Sequence, residues 1–205
     1  MRRLPHRAGA AFATIFLFTT VQVPEANAHL VTTGLGPFYD GLAHVLFAPE
    51  DAIAVLVIAL LAGRSGIAIG RAVLFTLPVA WCVGALLGLH APVTQLPTWF
   101  TVVTFMGLGG LIVVNYRLSA PLAVTLSLML GLTHGYFNGC GLATTVSVPF
   151  VLAGILASMF VGVALVAAVV ASLRAPWMGI AVRTLGSWIT AGGLLALGWT
   201  LRGLT

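Results

Sequence analysis

The chain has no lysine and little charge of either sign: nine arginines and four acids among 205 residues. A water-soluble surface carries roughly a quarter of its residues as charges. With 6% charged and 60% hydrophobic residues, this chain is excluded from that class and is expected to be an integral membrane protein embedded in a lipid bilayer. Beyond Arg7 the arginines stand singly between apolar runs, without the basic clusters and interleaved aromatics that bind nucleic acid, so nucleic acid is excluded as a partner. No nucleotide-binding motif is present. No nucleophile, base and orienting group share a convincing spacing, which argues against an enzyme. Only two cysteines occur, Cys82 and Cys140. Helix rise places Cys82 about 16 Å from Arg71, near mid-membrane, and Cys140 close to the outer surface, too far apart to bridge. Two free thiols are expected.

What polarity there is gathers in residues 29–51, HLVTTGLGPFYDGLAHVLFAPED, which hold His29, His44, Asp40, Glu50 and Asp51. The first 28 residues read as a secretory signal peptide. Arg2, Arg3 and Arg7 make its basic start, Ala8 to Val23 its apolar run, and Ala26-Asn27-Ala28 a small-x-small cleavage site. Cleavage there would make His29 the first mature residue and leave six arginines against three acids, a net charge of +3. An apolar run of about 16 residues is short for an uncleaved span.

Pro49 suits the first position of a helix, and Glu50 and Asp51 its first turn, where the positive end of the helix dipole favours carboxylates. The apolar segment Ala52 to Ala62 then rises only about 16 Å, half of a hydrocarbon core of about 30 Å. The polar stretch must therefore complete this first span. Further spans are expected at about Ile67 to Leu89 with a kink at Pro78, and at Thr98 to Tyr116. A fourth opens at Pro121 and passes through LSLMLGLTHGYFNG, a fifth lies within Leu142 to Leu173 with Pro149 as kink or start, and a sixth covers Met178 to Leu201. The fold class is thus all-α: one polytopic bundle of about six transmembrane helices over residues 29–205. Six spans after a translocated N-terminus put both mature ends outside. Arg64, Arg71, Arg117, Arg174 and Arg183 then fall at cytoplasmic ends and only Arg202 outside, which fixes the orientation; the expected location is a bacterial inner membrane with periplasmic termini.

Small residues recur at every fourth position: Gly84 and Gly88; Gly131, Gly135 and Gly139; Gly154, Ser158 and Gly162. Such stripes let helix backbones approach closely and predict tight packing. Among polar side chains, Asp51 lies thirteen residues from Arg64, and His134 thirteen from Pro121. Both should sit about 20 Å above the inner boundary, where a carboxylate and an imidazole can meet. A buried acid costs roughly 2.5 to 3.5 kcal/mol at mid-membrane and so pairs with a cation, a proton or His134. Asn138 shares the face of His134 one turn on. This mixed nitrogen and oxygen set suits a divalent first-row metal such as nickel, cobalt or copper(II). His44 beside the acids is either a ligand or an interfacial anchor. Glu50 is a ligand or merely begins the helix. His90 reads as an interfacial helix end, Asp40 as a solvated or capping residue, and Cys140 as a small apolar filler. The mature α-amino group of His29, with a pKa near 7.7 to 8.0, and its imidazole would chelate an ion together at the entrance.

The signal peptide, His44 with Glu50-Asp51 and a following alanine- and leucine-rich span, and the fourth-span motif His134 to Gly139, HGYFNG, resemble the HupE/UreJ family of hydrogenase and urease accessory membrane proteins. The resemblance covers essentially the whole mature chain and implies a nickel or cobalt permease. The family's first-span signature is a histidine, five residues, then Asp-His; here five residues after His44 come Glu50 and Asp51. Its fourth-span pattern His-Gly-x-x-His-Gly stands here with Asn138 as its second histidine. Both departures exchange nitrogen for oxygen ligands and mark a divergent branch.

The leading expectation is a permease carrying a divalent transition-metal ion inward, nickel first and cobalt or copper behind it. His29 and His44 would capture the ion and Glu50, Asp51, His134 and Asn138 would hold it inside the outer half of the bilayer. No permanently bound cofactor is expected, and the sequence does not fix the oligomeric state. Two alternatives stand beside it. One is a non-transporting accessory protein that meets metalloenzyme maturation proteins at the membrane; the other is a proton-coupled small-solute carrier using Asp51 and His134 as a relay.

Overall fold

The computed structural model describes residues 32–202 apart from 93, 144 and 146, so the expected leader and His29 lie outside the described residues. Among the described residues seven helices follow one another: α1 (Pro37–Phe47), α2 (Pro49–Ser65), α3 (Ile67–Gly88), α4 (Thr98–Val113), α5 (Ala120–Leu142), α6 (Val148–Ser172) and α7 (Pro176–Arg202). No strand occurs among the described residues. The molecule is an all-α membrane helix bundle.

Proline and glycine set most of the boundaries. α1, α2, α5 and α6 carry proline in their first two positions, where its missing N–H would have been unpaired in any case. Gly66, at φ 112°, makes the turn from α2 to α3. α1 and α2 meet at a 73° bend. Its cause is Ala48, which precedes Pro49 and is pushed into extended backbone at φ −91°, ψ 97°. The stretch that reads as a polar entry to the first span therefore contains a helix of its own. The third expected span also ends early, at Val113. Asn115 turns the chain there at φ 61°, a left-handed conformation that asparagine tolerates better than most residues.

Helices α3, α5, α6 and α7 are long and apolar enough to cross a membrane, and the bent pair α1–α2 makes a fifth crossing when taken as one span. With the 16-residue apolar helix α4, these match the six expected segments in order. Phe75, Trp99, Phe150, Leu165, Trp188, Leu195 and Trp199 are all exposed on the outside of the bundle. So much apolar surface is stable facing lipid and not water.

At the centre runs α2, which touches all six other helices. That explains why its sequence is apolar all round, with Val57, Ile58, Ala59, Leu61 and Ala62 fully buried. Because lipid tails are as apolar as leucine, burial alone does not hold these helices together; close packing and interhelical hydrogen bonds must. The small-residue stripes supply the packing. Gly84 and Gly88 of α3 lie against the Leu132 and Tyr136 carbonyls of α5, while Gly131, Gly135 and Gly139 of α5 lie against the Leu77, Trp81 and Ala85 carbonyls of α3. A second close seam joins α1 to α6, where Gly41 meets the Val151 carbonyl and Gly154 the Phe38 carbonyl.

The end of the bundle opposite the acids is tied by arginines. Arg64 donates to the Asn115 side chain and to the Gly179 carbonyl at 3.5 Å, and Arg183 Nε donates to the Val113 carbonyl at 2.8 Å. Ser65 Oγ accepts the Leu118 N–H at 2.8 Å. The two cysteines are free thiols, as expected; Cys140 is buried, with Thr94 Oγ1 3.7 Å from its sulfur.

Candidate functional site

Polar side chains from α1, α2 and α5 converge just beyond the bend. Asp51, in the first turn of α2, is 7% exposed, and His134, in the middle of α5, is 2% exposed. Asp51 Oδ1 and His134 Nδ1 are 2.7 Å apart, so the equal depths inferred from helix rise become a direct contact. Asn138, one turn along α5, donates from Nδ2 to Asp51 Oδ2 at 2.9 Å. Its Oδ1 lies 2.7 Å from His44 Nε2, which reaches in from α1 and stands 3.6 Å from Asp51 Oδ2.

An ionised carboxylate only accepts hydrogen bonds, and this fixes every partner in turn. The Asn138 amide must present its nitrogen to Asp51, so its oxygen faces His44 and accepts from Nε2–H. His134 must donate from Nδ1. In the neutral imidazole its Nε2 then carries a lone pair, and that atom is buried without a hydrogen-bond partner. This is how a carboxylate prepares a histidine for a metal: it holds the ring, sets the tautomer and raises the basicity of the far nitrogen. The positive N-terminal end of α2 adds to the stabilisation of the Asp51 charge.

The imidazole of His134 is also walled by aromatics. Trp81 of α3 stacks on it at 5.3 Å with 27° between the planes, and Phe100 of α4 meets it edge-on at 5.7 Å. Sequence reasoning found neither, because aromatic residues in apolar helices give no sign of which neighbour they face.

The other residues singled out by sequence fall elsewhere. Glu50 is exposed and makes none of the hydrogen bonds that join His44, Asp51, His134 and Asn138. Adjacent helical residues point about 100° apart, so Glu50 and Asp51 cannot present their carboxylates in the same direction. Asp40 is tied to the Thr33 N–H and hydroxyl at 2.6 and 2.7 Å, in keeping with a capping residue. His90 is exposed beyond the end of α3. His90→Ala is accordingly expected to change stability by no more than about 0.5 kcal/mol, as exposed substitutions usually do; thermal unfolding of the purified protein checks this.

As they stand, no group of three or more His, Cys, Asp or Glu side chains among the described residues is arranged to hold a metal ion. The reason is visible in the bonds above: His44, Asp51 and Asn138 are turned towards one another. An ion entering here must displace some of these bonds or use a nitrogen that they leave without a partner, as they do His134 Nε2.

The HupE / UreJ protein family model matches residues 17–196. The chain belongs to the HupE/UreJ family. No curated protein and no solved structure matches it. Within this HupE/UreJ protein, the two segments that carry the resemblance, His44 to Asp51 and His134 to Gly139, are the ones that meet in space.

Proposed function

We propose that this HupE/UreJ protein is a permease that passes a divalent transition-metal ion inward across a bacterial inner membrane, nickel first, with cobalt or copper as further cargo. The mature termini lie on the periplasmic side in this reading, with the arginine-tied end at the cytoplasm. The observation that carries it is a buried carboxylate, Asp51, set beside the bend of a broken helix pair and bonded to His134 and Asn138, with His44 at 3.6 Å. An ionisable group inside a membrane bundle is costly, and such groups mark ion pathways. Broken helices near the middle of the bilayer are likewise a recurrent way of building transporter sites.

The cargo binds among His44, Asp51, His134 and Asn138 with the neighbouring Glu50, after capture by His29 at the outer mouth. The mixture of imidazole nitrogen with carboxylate and amide oxygen suits borderline divalent ions better than soft ones. The test is flux into proteoliposomes across a panel of nickel, cobalt, copper, zinc and magnesium. Saturable nickel or cobalt entry supports the permease. Metal binding in detergent without flux would replace it by an accessory role alongside metalloenzyme maturation proteins, and pH-dependent solute flux without metal binding by a proton-coupled carrier.

A further inference from the structure

The hydrogen-bonded network accounts for His44 Nε2, Asp51, Asn138 and one nitrogen of His134. Among the described residues it leaves three buried side-chain atoms without a partner: His134 Nε2, Thr101 Oγ1 and Trp81 Nε1. Buried polar groups are nearly always satisfied, so three orphans in one small bundle call for a ligand. They belong to one neighbourhood. The Trp81 indole lies on the His134 ring, and Phe100, next to Thr101 in α4, meets the same ring at its edge. Thr101 is 4% exposed and sits one turn into α4. Glu50 is on this side too: its carboxylate interacts with the Thr101 hydroxyl without closing into a well-formed hydrogen bond, and it lies within electrostatic reach of His134.

A threonine in an apolar helix ordinarily satisfies its hydroxyl on the carbonyl four residues back, as Thr76 and Thr190 do here. Thr101 makes no such bond: its i−4 carbonyl is that of Pro97, at the very start of α4, which accepts the Phe100 N–H at 2.9 Å. Both lone pairs of the hydroxyl oxygen are open to a cation.

Resting on the transport reading, we propose that Thr101 Oγ1 is a ligand of the transported divalent ion together with His134 Nε2 and the Glu50 carboxylate, on the α4 side of the imidazole. Asp51 then acts from the opposite side as a positioning residue that fixes the tautomer of His134, and it does not itself touch the ion. One nitrogen and two oxygens make a donor set of the kind nickel(II) and cobalt(II) accept, with water completing the shell. Trp81 Nε1–H has a partner in such water.

Full-length protein in lipid nanodiscs, titrated with cobalt(II) and followed by visible absorption and by thermal unfolding, tests this. Thr101→Val replaces the hydroxyl by a methyl of the same shape. It is expected to weaken cobalt(II) binding at least about fivefold, the worth of one polar contact. The unfolding midpoint without metal should stay the same or rise, since an unpaired buried hydroxyl has been removed. Thr101→Ser, which keeps the oxygen, should bind within about twofold of wild type. A purely structural threonine would do the reverse, lowering the metal-free midpoint on Thr101→Val and leaving affinity unchanged. That result overturns the proposal, as does a Thr101→Val protein that binds like wild type because only water sits at the orphaned atoms. Wild type that neither binds nor transports any divalent ion removes the permease reading and this ligand assignment together; wild type that transports while Thr101→Val is silent removes the assignment alone.

Discussion

Asp51→Asn is expected to lower nickel uptake about 10- to 100-fold, the usual cost of losing a carboxylate that orients a metal-binding histidine, while the protein remains folded. The network explains why folding survives. An asparagine at 51 can accept from His134 Nδ1 with its oxygen, but its amide nitrogen then meets Asn138 Nδ2, donor against donor. Rotating the Asn138 amide resolves that clash and moves it to His44 Nε2, where a change of tautomer absorbs it. Each contact is restored, and only the negative charge is gone. Asp51→Ala goes further. It strands the donors of His134 and Asn138 in a buried site and should bring uptake to the level of cells lacking the protein. Parallel measurement of radiotracer nickel uptake and of the amount of folded protein in the membrane separates the two effects. Uptake by Asp51→Asn at the wild-type rate would show that the charge is not needed and would sink the proposed site.

The second large effect is mechanical. An added Cβ at Gly135 would overlap the Trp81 carbonyl group and meet the Trp81 Cα at 2.9 Å, and backbone cannot move aside as a flexible side chain can. Gly135→Ala should cost about 1–3 kcal/mol by overpacking, seen as a drop of roughly 2–12 °C in the unfolding midpoint for a chain of this size. Gly135→Leu should prevent α3 and α5 from seating at all. Gly107 of α4 has no atom within 4 Å of an added Cβ. Gly107→Ala should therefore hold or gain stability, by about 0.5–1 kcal/mol from helix propensity alone. Thermal scans of the purified proteins compare the three, and equal midpoints for Gly135→Ala and Gly107→Ala would show that the α3–α5 seam is not the close contact described.

Much of this architecture could be read before any coordinates. Pro49 and Pro121 mark helix starts, and of the two readings of Pro149, kink or start, the structure has the start, because proline is tolerated in the first turn; Gly63 with Arg64 comes within two residues of the end of α2. The Gly131, Gly135 and Gly139 stripe found its partner in Gly84 and Gly88 because both repeat every fourth residue and so line one face. The meeting of Asp51 with His134 followed from counting rise along two helices from the same boundary. What escaped were features that depend on azimuth and not on depth. Glu50 and Asp51 share a depth, yet one faces His134 through a direct bond and the other does not. Thr101 sits in an apolar run that looks like any other, and its unpaired hydroxyl shows only when the start of α4 is located. The helix α1 was hidden because its eleven residues are too few to register as a span and lie before a proline.

The contact between Asp51 and His134 joins residues 83 positions apart, and that separation is also an interval of time. At about 5–20 residues per second, the ribosome needs roughly 4 to 17 seconds after making Asp51 before His134 exists. For that interval the carboxylate on α2 has none of the α5 donors that later satisfy it. The helix at the centre of the finished bundle, the second of the described helices to be made, is therefore among the last to settle, held back until α5 arrives.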